Sequence, residues 1–364
     1  MNSWIKGKLS LIYLFWALII LLVGLLLIEQ TKFVQPTSYY AEQIQAAQLM
    51  KSSLEAIKEE QLKRAIPLDV RLDPNQTGII GEEYTELTTT LGNLEAKRTS
   101  SNPAFAALLV KYFKEANLKK GDVVAIGASG SFPALILATL SAAKALELEP
   151  LLIYSIGSSE YGANIPEFTF VSMLDSLNKR NILPYHLLAI SMGGYLDQAQ
   201  GMFYPDSREI IEKIAQDSGT HFINIGSIEE NIQYRMQLYK KAADDRPIKA
   251  FVNIGGATPN YGDTPASITY PNGLIINGPK IPDHPERGLI FEYQNLGVPI
   301  VHLLNIRDLA VKNGLPIDPI PLPEIGEGGV YQQKSYNKVI IFLVIGIEFF
   351  YLFWALVKRR SIYS

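Results

Sequence analysis

The sequence predicts an α/β fold in which a mainly parallel, doubly wound, Rossmann-like sheet carries helices on both faces, flanked by N- and C-terminal transmembrane helices. Short β-rich segments alternate with helical ones through the middle of the chain, a pattern typical of parallel sheets covered by helices. Two apolar stretches, at 9–28 and 339–357, are each long enough as helices to cross a bilayer. Between them we expect a juxtamembrane helical segment at 29–70, an α/β ectodomain at 71–313 and a Pro/Gly-rich linker at 314–338. Tails at 1–8 and 358–364 complete the chain.

Basic residues flank the two apolar stretches on their outer sides. Lys6 and Lys8 precede the first, and Lys358, Arg359 and Arg360 follow the second. Because positive flanks stay in the cytoplasm, both tails are expected there and residues 29–338 outside. The residues that end the first stretch offer no small-residue cleavage site, which favours an uncleaved anchor over a signal peptide.

The composition excludes several classes of function. The chain carries 33 Lys and Arg and 36 Asp and Glu residues. Without the tail cations and Glu348, the part between the spans has a net charge of about −7, which disfavours nucleic acid as a partner. The absence of cysteine excludes disulfides, cysteine nucleophiles and thiolate metal ligands. The four histidines show no zinc-binding spacing, so we expect no metal site.

The elements of the ectodomain follow from apolar periodicity and from Gly and Pro positions. A first helix is predicted at 38–64, either packed on its own domain or presented to a partner. The segment at 257–297 is rich in Gly, Pro and Asn and is expected to be a long excursion over the sheet. Strands are predicted at 122–126, 151–155, 187–191, 222–225, 250–254 and 299–304, and further helices at 103–116, 133–148, 207–218, 228–243 and 307–313.

The carboxyl ends of the predicted strands run into small, polar loops, and in an open α/β sheet such ends line the ligand crevice. The loop Gly127–Ser131 lies between a strand and a helix beginning near Pro133. Free backbone N–H groups and the helix dipole at this corner suit a carboxylate or a phosphate. The alternative is that Ser131 only caps its helix and the glycines only permit a tight turn. The loop lacks both the P-loop lysine and the GxGxxG pattern, so neither ATP nor NAD is indicated and no cofactor is predicted.

The predicted ligand-binding residues belong to these loops and to one preceding segment. Lys97 and Arg98 could balance an anion, or could form ordinary surface ion pairs. Glu160 and Asp197, on neighbouring loops, could act as an acid–base pair or hold a divalent cation, although solvated carboxylates are the more frequent case. The full set is Lys97, Arg98, Ser129, Gly130, Ser131, Ser158, Ser159, Glu160, Asn164 and Asp197.

A hydrolase is the alternative interpretation of the same loop. Gly127-x-Ser129-x-Ser131 approximates a nucleophile elbow with serine in place of the final glycine. Such an enzyme needs a base, for which His284 is the loop candidate, with Asp197 to orient it. The catalytic candidates are therefore Ser129, Ser131, Asp197 and His284.

Glu348 lies midway along the second apolar stretch, where an acidic side chain costs about 2.5–3.5 kcal/mol. One explanation is a protonated carboxyl that shares a hydrogen bond with the first span, or a helix frame that brings it nearer an interface. The other is that Glu348 contacts another membrane subunit. We predict the second.

Six segments of the chain form a recognisable set: Gln76–Gly78, Thr88–Gly92, Ala96–Thr99, Gly127–Ser131, Ser158–Asn164 and Asn253–Gly256. Together they resemble the bacterial poly-γ-glutamate system protein family. The resemblance implies a role beside the membrane machinery that makes and exports poly-γ-glutamate, a capsular or secreted polymer. It implies partners among the membrane subunits of that machinery and a place in the bacterial cytoplasmic (inner) membrane, with the polymer or a small carboxylate as ligand. It carries no assigned catalytic residues, so an accessory binding protein, an exported serine hydrolase or transpeptidase acting on γ-glutamyl bonds, and a non-catalytic scaffold all stay open.

Overall fold

The computed structural model describes residues 11–362, and the side chains up to Lys358. The chain forms two compact units, Tyr39–Tyr331 and the flanking segments before and after it. In chain order the elements are α1 (Leu11–Gln30), β1 (Phe33–Pro36), α2 (Tyr40–Lys63), α3 (Leu94–Ser100), α4 (Ala104–Glu115), β2 (Val123–Ser129), α5 (Pro133–Ala145), β3 (Glu149–Ser155), α6 (Phe170–Lys179), β4 (Leu187–Ser191), α7 (Ser207–Ser218), β5 (Phe222–Ile223), α8 (Ile228–Ala242), β6 (Ile248–Ile254), α9 (Thr258–Tyr261), α10 (Pro265–Ile268), β7 (Gly273–Ile275), α11 (Leu289–Asn295), β8 (Ile300–Leu303), α12 (Ile306–Lys312), β9 (Gln332–Ser335) and α13 (Lys338–Ile362).

A seven-stranded sheet runs through the unit Tyr39–Tyr331, in the order β5-β4-β3-β2-β6-β8-β7. Its strands pair in parallel except β7, which is antiparallel to β8. The prediction of an α/β fold with a mainly parallel sheet is therefore confirmed, and each predicted strand is present. The sequence missed β7 of this sheet, and it also missed β1 and β9, because strands of three or four residues are too short to show a periodic pattern.

The chain starts the sheet at β2, builds outward through β3, β4 and β5, and then returns to the other side of β2 with β6. The loops that follow β2 and β6 consequently leave the sheet beside each other but lead in opposite directions. At such a reversal of strand order the loops separate and leave a crevice at the carboxyl ends of the strands.

Both faces of the central strands are buried. In β2, Val124 and Ile126 belong to one hydrophobic core, together with residues of α4 and α5. Ala125, which points to the other face, belongs to a second core that includes residues of α8 and α11. A strand covered on both sides needs a continuous apolar run, and this explains the sequence of β2.

The long helix α2 packs on the same unit. Its apolar positions Ala46, Met50 and Ile57 are fully buried in the first core, and the amide of Gln43 donates hydrogen bonds to the carbonyls of Ala107 (3.1 Å) and Val330 (2.9 Å). Because these contacts join α2 to α4 and to the end of the unit, the helix is a part of the domain core.

The Pro-rich segment after α12 also contacts this unit as far as Tyr331. Asp318 forms a bidentate ion pair with Arg98, and its backbone N–H donates to Thr99 Oγ1 at 2.9 Å. Asn75 Nδ2 donates to Pro319 O at 2.9 Å. The first part of the predicted linker is thus attached to the domain surface through polar contacts.

The flanking segments form the second unit. Helices α1 and α13 are both long and apolar enough to cross a membrane, by length and composition. They pack against each other where Gly24 of α1 lies against Val344, because the missing side chain of glycine allows close approach. After α1 and before α13, strands β1 and β9 pair antiparallel, with Phe33 opposite Ser335.

Glu348 lies on the face of α13 that also carries Val344 and Ala355, which are both buried. One carboxyl oxygen, Oε2, is buried and finds no hydrogen-bond partner among the described residues. The predicted contact with another membrane subunit stays a prediction.

Candidate functional site

A cavity of about 480 Å³ lies where five strands of the sheet end. The loops after β2, β3, β4, β6 and β8 form its walls, and the segment 89–93 with Lys97 closes one side. Most of the wall consists of hydroxyl-bearing and glycine residues. The lining residues include Thr89, Thr90, Asn93, Lys97, Ser129, Ser131, Phe132, Ser155, Gly157, Ser159, Gly193, Gly194, Tyr195, Gly256, Thr258 and Leu304. A site at these strand ends is what the sequence predicts.

Lys97 is the cation of this cavity. Its side chain is only 2% exposed. The ammonium group donates a hydrogen bond to the carbonyl of Ser131, lies 2.8 Å from Ser159 Oγ, and sits over the ring of Phe132 at 4.2 Å from the centroid. Burial lowers the pKa of Lys97 to about 7, and the negative charge of Glu160 only partly opposes this shift.

Arg98, the next residue, has a different environment. Its guanidinium pairs with Asp318 and does not line the cavity. Successive residues of a helix are about 100° apart, so neighbouring cations in α3 point to different surroundings. Of the two roles expected for Arg98, the structure shows the ion pair and not a contact with the cavity.

The serines of the first loop have separate roles. Ser131 Oγ accepts a hydrogen bond from the backbone N–H of Ser159 at 3.0 Å, and helix α5 has no side-chain cap. Ser131 therefore joins two loops and does not cap its helix. Ser129 is one of the lining residues of the cavity, and its Oγ atom is buried with no hydrogen-bond partner within residues 11–362. No hydrogen bond within these residues therefore competes with a ligand for this hydroxyl.

Gly130 is required by packing between loops. A Cβ atom at this position would lie 2.7 Å from the carbonyl oxygen of Ile156 and 2.9 Å from Ser158 Cβ. Gly130 is therefore needed because the loop after β3 approaches it closely, and it does not line the cavity. A larger residue here would push the first and second loops apart whether or not a ligand binds.

Three further predicted ligand residues hold the segment 82–92 against the loop after β3. Glu160 Oε2 accepts from the Gly92 N–H at 2.7 Å. The amide of Asn164 bonds both backbone groups of Glu82, at 2.7 and 3.0 Å. Ser158 pairs with Thr88 as an isolated parallel bridge. These residues position the wall of the cavity without lining it.

Asp197 lies in a fully buried polar network. Its carboxylate accepts hydrogen bonds from the Gly193 N–H (2.8 Å), Ser191 Oγ (2.9 Å) and Asn231 Nδ2 (3.1 Å). It also pairs with the guanidinium of Arg235 at 2.8 Å, and both side chains have zero exposure. With its lone pairs occupied in this way, Asp197 stabilises the loop after β4.

Arg235 is a residue that the sequence reasoning missed, although a signal was present. In α8 it shares a face with Ile228, Ile232 and Tyr239, which are all buried. A charged residue inside an apolar helical stripe needs a buried partner of opposite charge. The pattern alone could have identified Arg235 as buried, but could not have named Asp197.

His284 lies in another cavity, lined also by Asp283, Arg287 and Glu292, and it is absent from the cavity of Ser129 and Ser131. The predicted Ser–His–Asp arrangement is therefore not assembled, since its histidine and its aspartate are engaged elsewhere. Within the described part of the chain, no group of three or more His, Asp or Glu side chains is placed to hold a metal ion.

Comparison of the chain with known protein families, with curated proteins and with solved structures finds no match. The resemblance to the poly-γ-glutamate system protein family therefore rests on the sequence segments that carry it and stays a prediction.

Proposed function

We propose that this protein is an accessory component of the membrane machinery for poly-γ-glutamate synthesis or export, whose unit Tyr39–Tyr331 binds an anionic ligand, such as a polymer end, at the strand-end loops. The polymer is suggested by the sequence resemblance. The ligand site is supported by one observation, the cavity of about 480 Å³ that contains the buried Lys97.

The lining suits a carboxylate. Ser129 offers a hydroxyl with no other partner, Thr89 and Thr90 add two more, and Lys97 supplies the cation. An anion beside Lys97 would raise the lowered pKa of this lysine, so binding would be accompanied by proton uptake. Affinity should then fall as the pH rises above about 7.

A chain end is a better ligand than a long stretch of polymer. The part of the chain between the spans carries a net charge of about −7, which repels a polyanion at long range. Within the cavity a single buried cation acts at short range, where solvent screening is weak. The volume lies within the usual range for small-molecule sites, about 300–1,000 Å³.

We interpret the sheet as doubly wound and Rossmann-like, with the ligand at the reversal of strand order between β2 and β6. On this interpretation the Gly127–Ser131 loop and the Gly255–Thr258 loop are the two sides of the crevice. The N-terminus of α5 then adds a positive dipole end close to Phe132, which favours an anion.

Calorimetric titration of the full-length chain in detergent micelles tests the ligand. Short γ-linked glutamate oligomers should bind, and α-linked oligomers of the same length serve as the comparison. Lys97→Met should weaken binding by at least about tenfold, because a charge-assisted hydrogen bond is lost. Lys120→Met, at a largely exposed lysine, is the matched control. Equal heats for the γ- and α-linked oligomers, or an unchanged affinity in Lys97→Met, would refute the site.

The proposed location requires both termini in the cytoplasm and the unit Tyr39–Tyr331 outside. Reporter fusions at either end should report cytoplasm, and a reporter inserted near Asp283, in an exposed loop, should report the exterior. An external N-terminus would contradict the topology.

A further inference from the structure

Ser159 and Lys97 form a close polar pair inside the cavity. Ser159 is 8% exposed and Lys97 is 2% exposed, and both line the cavity wall. Ser159 Oγ lies 2.8 Å from Lys97 Nζ, and it makes no other hydrogen bond among the described residues. A hydroxyl whose single neighbour is an amine within hydrogen-bond distance has the geometry of a nucleophile beside its base.

The surroundings fix the amine of Lys97 in this position. The carbonyl of Ser131 accepts one N–H, and the ring of Phe132 covers another direction. In the neutral amine the remaining lone pair is free to accept the proton of Ser159. The backbone of Ser159 is held too, since its N–H donates to Ser131 Oγ. Both partners are therefore oriented by contacts outside the pair.

We infer that Ser159 and Lys97 are a nucleophile and general base for acyl transfer, and that the substrate class is an amide such as a γ-glutamyl amide. Serine–lysine pairs perform the same chemistry as serine–histidine pairs on other folds. The inference rests on the proposal that this cavity is the ligand site. It replaces Ser129 or Ser131 with Ser159 as the nucleophile, and His284 with Lys97 as the base.

The ionisation of Lys97 is compatible with this role. A lysine acts as a base only in its neutral form, and burial lowers the pKa of Lys97 to about 7. The charged group that opposes the shift is Glu160, which is itself bonded to the Gly92 N–H. A substantial share of the lysine is therefore neutral at neutral pH.

The proposed reaction has two stages, acylation of Ser159 and release of the acyl group. Ser159 Oγ attacks the carbonyl carbon, and its proton passes to Lys97 Nζ. The C–N bond of the adduct then breaks, the amine leaves with the proton from Lys97, and the acyl group remains on Ser159 as an ester. Water attacks the ester, gives its proton to Lys97, and the acid leaves as Ser159 Oγ regains the proton. In the net reaction an amide and water give an acid and an amine. If a second amine attacks the ester in place of water, the acyl group is transferred to that amine.

Ser129 completes the arrangement. Ser129 lines the same cavity, and its buried hydroxyl has no partner within the described residues. A preorganised donor of this kind can stabilise the negative oxygen of the adduct. We assign Ser129 to that position.

A fluorophosphonate probe tests the nucleophile without any glutamate ligand. The serine oxygen bonds to phosphorus, fluoride leaves, and the mass of the full-length chain increases by one adduct. We expect one label, located on the peptide with Ser159. Ser159→Ala and Lys97→Met should each reduce the labelling rate by about 100-fold or more, whereas Ser172→Ala, at a serine that lines a different cavity, should leave it unchanged.

The chain has no cysteine, so Ser159→Cys introduces a unique thiol that probes the same contact. The neighbouring lysine should lower the thiol pKa below its ordinary value of about 8.5. The pH midpoint of iodoacetamide alkylation measures this pKa, and adding Lys97→Met should shift the midpoint upward. Ser172→Cys is the matched control, with a midpoint that does not respond to Lys97→Met.

The labelling and alkylation experiments can fail or succeed independently of the binding of γ-glutamate oligomers. The pair is refuted if labelling of Ser159→Ala matches that of the unmodified chain, or if the thiol midpoint is the same with and without Lys97. If the probe labels Ser159 but γ-glutamate oligomers do not bind, the acyl-transfer pair stands and the ligand is wrong. If oligomers bind but neither probe responds to Lys97, Lys97 only joins the loops and binds the ligand.

Discussion

The buried lysine should make the stability of the domain depend on pH in a specific direction. Burial lowers the pKa of Lys97 from 10.5 to about 7. Between these values the unfolded chain binds more protons than the folded one, so the free energy of unfolding rises with pH. The stability is fully present above the unfolded pKa and is lost as the pH falls through the folded one. A shift of this size corresponds to about 5 kcal/mol in total.

Most of this change in the free energy of unfolding occurs at pH values at which unfolding can be measured. For these two pKa values the contribution of Lys97 grows by about 2 kcal/mol between pH 7 and pH 9, and by less than about 0.5 kcal/mol between pH 6 and pH 7. Other groups titrate as well, so the useful quantity is the difference between the unmodified chain and Lys97→Met. The substitution also removes hydrogen bonds to Ser131 and Ser159, but this loss does not follow the same pH course.

Urea unfolding of the full-length chain in detergent micelles, at several pH values from 6 to 9, measures this difference. Tyrosine circular dichroism is the suitable signal, because the three tryptophans, at 4, 16 and 354, lie outside Tyr39–Tyr331. From pH 7 to pH 9 the unmodified chain should gain about 2 kcal/mol over Lys97→Met. Lys120→Met should show no such change. A difference that is constant with pH would mean that the pKa of Lys97 is not lowered, and would remove the basis for its role as a base.

Other predictions concern the wall, the sheet and the membrane helix. Asp197→Asn leaves the charge of Arg235 buried without its partner and should lower stability by about 3–5 kcal/mol, measured by thermal unfolding, and an unchanged transition would mean that the pair is not buried in solution. Gly127→Ala should destabilise by about 1–3 kcal/mol, because its Cβ would collide with the buried amide of Asn260, whereas Gly226→Ala, with open space around it, should have little effect in the same assay. Glu348→Leu should preserve insertion and folding but reduce co-purification with membrane subunits of the polymer machinery, and unchanged co-purification would mean that Glu348 is only a tolerated polar residue.

The strands could be predicted because their signal is local. A strand buried on both faces requires consecutive apolar residues, so Val123–Ile126 and its counterparts are visible without knowledge of their neighbours. The location of the cavity followed from the general rule for open α/β sheets, once alternating strands and helices were recognised. The antiparallel strand β7 was not predicted, because its three residues lie within a Gly- and Pro-rich segment and form no continuous apolar run.

The contents of the cavity could not be predicted in the same way. Lys97 and Ser159 are 62 positions apart, and their contact depends on the segment 82–92 packing against the loop after β3. Nothing in the local sequence distinguishes Lys97, which enters the cavity, from Arg98, which pairs with Asp318. Asp197 was predicted to contact a ligand because it follows a strand end. Its carboxylate instead pairs with Arg235, which belongs to α8 and could not be identified as its partner from the local sequence.

By itself, the sequence determined the two membrane-compatible helices, the α/β class and the sheet edge at which the cavity lies, because apolar length and periodicity are properties of contiguous residues. Only the tertiary structure decided which polar groups share the cavity, which are buried in ion pairs, and which, like His284, lie elsewhere. The physical reason is that burial and hydrogen bonding arise between residues far apart in the chain. Burial lowers the pKa of Lys97, and long-range packing places its amine beside a serine hydroxyl.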